Sequence, residues 1–373
     1  MSKRPKHETI HEDLARAIGD GTLAPGAQLP TEAELVRTYK ASRPTVTRVM
    51  QRLVLEGLVE RRAGAGTFVR RGAAASSAKL FGLLIPGLGE TEIFEPLCGQ
   101  MARDAQSHQH TLLWGDATDH GSAGPGERAM ALARDYAARR VGGVFFAPLE
   151  LSSDKESVNT AVIETLEKAN IPVVLLDRDI VRHPERSRYD LVAIDHRRAA
   201  HVLVAHILGQ GIRQISFVAR PLSAPTIALR IAGYRDALRE AGIEPASKAE
   251  HFGDPSDAAF VRRVLATGQA EAIVCGNDVT AARLLHTLDE LGVLVPDDVR
   301  VAGFDDVRYA NLLRVPLTTI HQPCRDLGTA AVQVMVERLA NPGLPARDIL
   351  LGARLVVRRS TTTRREKRAA PKR

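Results

Sequence analysis

The chain has 373 residues, 44% apolar and 25% charged, with a formal net charge of +7. That usage is globular and the length suits two or three domains. No apolar run approaches the roughly 20 residues of a bilayer span, and the opening MSKRPKHETI holds no apolar signal core, so neither membrane insertion nor secretion is expected.

Cys98, Cys275 and Cys324 are far apart and lack metal-ligand spacing, which suits a reduced, cytoplasmic protein without metal or cofactor. The charge is unevenly placed. Residues 1–72 hold 13 Lys/Arg against 8 Asp/Glu, and residues 354–373 hold 9 against 1. The long middle is mildly acidic. A basic N-terminal module suits a phosphate backbone, and the tail RREKRAAPKR reads as disordered.

In chain order, residues 8–19 form an amphipathic helix with Ile10, Leu14 and Ile18 in one stripe. Thr31 and Glu34 make a capping box that opens a short helix. Ala41-Ser42 is the turn, and Pro44 fits the first turn of the next helix, where its missing N–H costs nothing. Val46, Val49, Met50 and Leu53 recur at helical spacing, leaving Arg43, Thr45, Thr47, Arg48 and Arg52 on the opposite face. Gly57 stops the helix. Leu58–Arg62 and Thr67–Val69 read as strands joined by the glycine-rich tip Ala63–Gly66. This is a winged helix-turn-helix, whose second helix can enter a major groove while the basic hairpin lies along the neighbouring backbone.

These residues resemble the GntR-type DNA-binding domain. Its blocks appear as Leu29-Pro30-Thr31-Glu32, Ser42-Arg43-Pro44-Thr45-Val46, Leu53 to Leu58, and Gly64-Ala65-Gly66-Thr67-Phe68-Val69. The chain departs from the family's usual Arg at Ala33 and at Thr47. Thr31, Arg43, Pro44, Thr45, Thr47, Arg48, Arg62 and Gly64 are the candidate DNA contacts.

Residues 72–78 are small and read as a linker. Beyond it, short apolar strands alternate with helical stretches: Leu80–Pro86, Val141–Phe146, Val173–Asp177, Leu191–Ile194, Ile215–Val218, Ala272–Cys275 and Val299–Phe304. Helices are predicted near 94–107, 127–139, 157–169, 197–209, 228–241, 256–267, 279–291 and 325–340. The alternation predicts two doubly wound parallel-sheet subdomains with ligand at the carboxyl ends of strands. Asp177, Asn277 and Asp305 each stand just past an apolar strand, where they can accept from or donate to hydroxyls. In each of the pairs Asn277-Asp278 and Asp305-Asp306, the first member is expected at ligand and the second at a cap or turn.

Leu229–Leu238, Gly276-Asn277-Asp278, Leu291–Val299, Gly303–Asp306 and Pro316–Pro323 resemble the effector domain of LacI/GalR-type regulators, itself akin to periplasmic sugar-binding proteins. The resemblance implies effector contacts at Phe94, Asp177, Thr226, Arg230, Asn277, Asp305 and Gln322, and a homodimer formed through the sensor. GntR-type reader and LacI-type sensor together resemble the arabinose-repressor branch.

The expected organisation is a reader over 1–71, a linker over 72–78, a sensor over 79–360 and a basic tail over 361–373. Subdomain one is expected over about 79–189 and 320–340, subdomain two over about 190–319 and 341–360. No P-loop, Gly-x-Ser-x-Gly or His-Glu-x-x-His pattern is present, so an enzyme is not expected. The expected function is a cytoplasmic repressor that binds double-stranded operator DNA under control of a small sugar or polyol. The competing reading is a carrier-type sugar-binding protein whose winged helix contacts protein.

Overall fold

The computed structural model describes residues 6–362 apart from 20, 25, 56, 63–64, 70–78, 87–91, 116–123, 246 and 268. The expected linker over 72–78, candidate contact Gly64 and the tail from 363 therefore lie outside the described residues. Two compact units make up the chain, a small one of Met1–Lys79 with Val336–Leu344 and a large one of Leu80–Met335 with Pro345–Arg373.

The small unit contains α1 (Lys6–Gly19), α2 (Glu32–Tyr39), α3 (Arg43–Leu55), β1 (Val59–Arg62) and β2 (Gly66–Val69). The capping box forms: Glu34 N–H donates to Thr31 Oγ1 at 3.3 Å and Thr31 N–H to Glu34 Oε2 at 2.7 Å. Gly57 adopts φ +69° at the end of α3, a left-handed turn that glycine makes without strain. β1 and β2 pair antiparallel, and Leu29 N–H donates to Thr67 O at 2.8 Å, so the LPTE segment joins the wing. Ile10, Leu14, Ile18, Leu35, Val46, Val49, Met50 and Leu53 share one core, as their spacing predicts.

The large unit begins with β3 (Leu80–Leu84), α4 (Phe94–Ser107), β4 (Thr111–Trp114), α5 (Pro125–Ala138), β5 (Gly143–Phe146), α6 (Lys155–Lys168), β6 (Val173–Leu176) and β7 (Asp190–Ile194). The chain then crosses to α7 (His196–Leu208), β8 (Ile215–Ala219), α8 (Thr226–Glu240), β9 (Glu250–Phe252), α9 (Ala258–Ala266), β10 (Ala272–Cys275), α10 (Asp278–Glu290), β11 (Arg300–Asp305) and β12 (Thr318–His321). It returns through α11 (Cys324–Ala340) to β13 (Asp348–Leu351), and crosses once more to β14 (Arg354–Val356). No helix among the described residues is long and apolar enough to cross a membrane.

Sheet one has the order β13-β7-β6-β5-β3-β4, all parallel. Sheet two has the order β14-β12-β11-β10-β8-β9, parallel except for β14. The expected subdomain limits need correcting. They place β7 in the second subdomain, but it hydrogen-bonds to β6 in the first. β13 likewise joins sheet one, while β12 and β14 belong to sheet two. A buried apolar strand reads the same in either sheet, so pairing decides where the chain crosses: after Ile194, after His321 and between Leu351 and Arg354. The tail also starts later than expected: Ser360 and Thr361 are fully buried, and Thr361 Oγ1 stands 2.7 Å from Thr318 Oγ1.

Strand side chains alternate, so each sheet has two apolar faces and takes helices on both. Tyr136, Val162 and Leu166 of α5 and α6 cover one face of sheet one, and Met335 of α11 lies over Gly143 on the other. On sheet two, Phe260, Val261, Leu284 and Leu288 of α9 and α10 cover one face. Tyr234 of α8 covers the other, its ring 5.7 Å from Phe217 and its hydroxyl donating to Ile215 O at 2.7 Å.

Candidate functional site

In the reader, the outer face of α3 is polar because its inner face fills the core. Arg43, Pro44 and Arg48 are exposed, and Thr45 and Thr47 are half-buried. Neither Arg43 nor Arg48 has an ion-pair partner among the described residues. Thr47 does have a partner: its Oγ1 donates to Glu32 Oε2 at 2.9 Å, and Arg61 Nη2 donates to Glu32 Oε1 at 2.8 Å. One carboxylate thus ties α3 to α2 and to the wing. Arg62 is exposed, pairs with Glu60 at 2.7 Å and lies over the Phe68 ring at 4.6 Å. Thr31 serves the α2 cap.

In the sensor, charged side chains gather at the carboxyl ends of the strands, where the two sheets face each other. Asp177 follows β6 at φ +66° and Asp305 ends β11 at φ +114°, backbone conformations that cost energy for a residue with a Cβ and collect at functional positions. Arg178 is buried and pairs with Glu150 at 2.6 Å and Asp177 at 3.4 Å, its guanidinium 5.8 Å from the Phe94 ring. Arg230 is buried on α8, donates to Gly276 O, stands 3.5 Å from Asp305 Oδ1 and lies over the Phe304 ring at 4.5 Å. Gln322 Nε2 donates to Asp305 Oδ1 at 2.8 Å. His196 lies between Asp177 O (3.2 Å) and Arg230 Nε (3.3 Å). Asp177 Oδ1 is buried and meets no hydrogen-bond partner among the described residues. A buried acceptor left open costs free energy, and it sits here among donors and acceptors of both kinds.

Residues 6–69 match the bacterial regulatory proteins of the gntR family, and residues 204–361 match the periplasmic binding protein-like domain. The chain is 28% identical over 296 residues to the HTH-type transcriptional repressor PurR of Klebsiella pneumoniae (strain 342), covering 78% of this chain and 82% of that one. A solved LacI-family transcriptional regulator from Sanguibacter keddieii is 30% identical, with TM-score 0.59, covering 76% of this chain and 98% of its own. The chain belongs to the LacI-type transcription regulators, with a GntR-type reader. A further LacI-family structure, from Enterococcus faecium with bound ribose, shares the fold at TM-score 0.61 and 22% identity, covering 76% of this chain and 98% of that one.

Of the seven expected effector residues of this LacI-type regulator, Asp177, Arg230, Asp305 and Gln322 fall in one cluster of hydrogen bonds and ion pairs, with His196 joining the Asp177 carbonyl to Arg230. Phe94 borders it beside Arg178. Thr226 is buried one turn before Arg230 on α8. Asn277 takes the capping role expected of its neighbour: it is the N-cap of α10, its Oδ1 accepting from Thr280 N–H at 2.9 Å. Its neighbour Asp278 is fully buried, accepting from Thr319 Oγ1 at 2.7 Å and Val307 N–H at 3.2 Å. So in that pair the first residue caps and the second is interior. In Asp305-Asp306, Asp305 stands 3.5 Å from Arg230, while Asp306 pairs with Arg358 at 2.6 Å and His321 at 2.9 Å. Glu150 and His196 carried no sequence signal. Neither sits in a period or a motif, and their partners lie in other elements.

Burial pushes the Asp305 carboxyl up to about 6, although Arg230 and Gln322 pull it back. Burial, followed by the Arg230 charge, pushes His196 down to about 4. Burial also raises Asp278 well above the carboxylate range, with Asp305 adding to the effect. These displacements bear on stability with opposite signs. Asp305 binds its proton more tightly when folded, so its contribution is full below 3.8 and is lost as pH rises through about 6. His196 resists its proton when folded, so its contribution is full above 6.5 and is lost as pH falls toward 4. A tenfold change in proton affinity is worth about 1.4 kcal/mol, so each contribution is on the order of 3 kcal/mol. Asp278 shares the sign of Asp305, so the expectation is relative: Asp305→Asn should gain stability against wild type as pH rises from 4 to 6. Urea midpoints at stepped pH measure this, and parallel profiles for the two proteins would refute it.

Proposed function

We propose that this regulator is a repressor that binds a near-palindromic operator as a homodimer in the cytoplasm and is controlled by a sugar or related polyol in the sensor cluster. The observation that carries the effector class is the buried set of Asp177, Arg178, Arg230 and Asp305 with an open acceptor at Asp177 Oδ1. A hydroxyl both donates and accepts, so a polyol can satisfy carboxylate and guanidinium together. Repression is supported by the names of the curated relatives. A thermal-shift screen against monosaccharides, sugar phosphates and nucleosides tests the effector class, because a ligand of the folded state raises apparent stability. A shift with nucleosides alone would replace the polyol reading.

On the DNA side, Arg43, Arg48 and Arg62 supply exposed cations beside the hydroxyls of α3. Arg43→Ala should weaken operator binding by about 1–3 kcal/mol if it reads a base edge. A gel-shift titration measures this, and unchanged affinity would exclude the contact. The same titration repeated across salt should show a steep loss of affinity, since phosphate contacts release counterions.

A two-fold dimer would present two readers to two half-sites. Sedimentation equilibrium at micromolar concentration should therefore give twice the chain mass; a monomer both with and without operator would count against it.

A further inference from the structure

His196 opens α7 directly after β7, at the first crossing between the sheets, and is 2% exposed. Nε2 stands 3.2 Å from the Asp177 carbonyl oxygen. A carbonyl only accepts, so Nε2 carries the proton. Nδ1 stands 3.3 Å from both Nε and Nη2 of Arg230, which only donate, so Nδ1 offers its lone pair. The two sides demand the same species, the neutral imidazole protonated at Nε2. The charged groups around the ring are Arg230 and Arg178 together with the Asp177 carboxylate, whose Oδ1 is 3.7 Å from Nε2.

Asp177 belongs to the first subdomain and Arg230 to the second, and the ring that joins them is borne on the segment that connects the two. Gln322 stands at the second crossing and donates to Asp305 at 2.8 Å. A ring that merely filled space would need neither polar partner, and a cap for α7 is already supplied by Asp195, whose Oδ1 accepts from Arg198 N–H at 2.9 Å.

We propose that His196 is a positioning residue: its neutral imidazole, seated at the crossing, holds the Arg230 guanidinium and ties it to the Asp177 turn of the opposite subdomain. The consequence for signalling rests on the reading of this cluster as the effector site. Effector seated against Arg230 and Asp177 acts on the crossing through one ring, and a change at the crossing is felt by both contacts.

The experiment compares the full chain as wild type, His196→Gln and His196→Leu. Gln keeps an acceptor for Arg230 and a donor for the Asp177 carbonyl; Leu keeps bulk alone. Urea unfolding confirms that each is folded. The first readout needs no ligand. In arginine-labelled protein, the Arg230 Nε–H resonance, assigned through its loss in Arg230→Lys, should be protected from exchange in wild type and His196→Gln and lost in His196→Leu. A protected resonance in His196→Leu, or its loss in His196→Gln, overturns the proposal.

The second readout is calorimetric titration with D-ribose, D-xylose, D-glucose and cellobiose. For a probe that binds wild type, affinity should fall about tenfold or more in His196→Leu and return to within about threefold in His196→Gln, as expected for a hydrogen bond to a charged group. Wild-type affinity in His196→Leu overturns the positioning role and leaves the effector site standing. If none of the four probes binds wild type while the Arg230 resonance behaves as expected, the polyol reading falls and the hold of His196 on Arg230 is supported.

Discussion

Asp305→Ala should bind operator as wild type does and no longer respond to effector. Asp305 contributes the carboxylate nearest the Arg230 guanidinium, at 3.5 Å, and it accepts from Gln322 at the second crossing. Removing it deletes a hydrogen-bond acceptor from the cluster and leaves a buried cation without its acid. Truncating one member of such a pair costs about 2–5 kcal/mol of ligand binding, about 30-fold or more in affinity. The reader is untouched, because Asp305 lies at the end of β11 in the other compact unit. Calorimetry with the polyol found by thermal shift, paired with gel shifts on both proteins, measures the two halves separately. If Asp305→Ala binds that polyol with wild-type affinity, the carboxylate is only a turn residue and the effector lies elsewhere.

Gly233→Ala should cost more than its single methyl suggests. Gly233 lies where α8 crosses α7, and a Cβ there would stand 1.9 Å from the Arg197 carbonyl oxygen and 3.0 Å from Ala200 Cβ. The first obstacle is backbone, so no side chain can swing aside and the helices must separate. Overpacking of this kind costs about 1–3 kcal/mol, occasionally more. Arg230 sits three residues before Gly233 on α8, and His196 sits one residue before Arg197 on α7. Pushing these helices apart therefore also separates the guanidinium from the imidazole. The expected result is a lowered urea midpoint together with loss of effector response, in a protein whose operator binding persists. A Gly233→Ala protein with wild-type stability would show that α7 and α8 can part freely.

Much of this was legible in the sequence because the deciding forces are local. The capping box at Thr31, the α3 core stripe and the Gly57 stop each depend on residues within a few positions, and each took the expected form. The central strands β3, β5, β6, β7, β8, β10 and β11 were legible because they are largely buried and so nearly continuously apolar, whereas β12, Thr318–His321, lacks an apolar run and was not. The edge strands β4, β9, β13 and β14 were not. They are three or four residues long with exposed positions, and nothing but a partner strand makes them strands. Sheet membership failed for the same reason: the pairing of β7 with β6 and β13, and of β12 with β11 and β14, is settled by register between distant segments. In the site, Asp177 and Asp305 were visible as polar residues ending apolar runs. The interior role of Asp278 was hidden because its partner Thr319 is 41 residues away, and His196 was invisible because its partners lie 19 and 34 residues away.

The placement of β13 and β14 also sets an order of events during synthesis. Residues 6–69 contain α1 to α3, both wing strands and the core they share, so these can close as soon as they leave the ribosome. Neither sensor sheet can be completed that early: β13 supplies an outer strand of the sheet begun at Leu80, and β14 an outer strand of the sheet begun at Ile215. Until Val356 emerges, β12 has an open edge, and until Leu351 emerges so does β7, each a template for unwanted pairing. The DNA reader is thus finished on the growing chain well before the part that governs it.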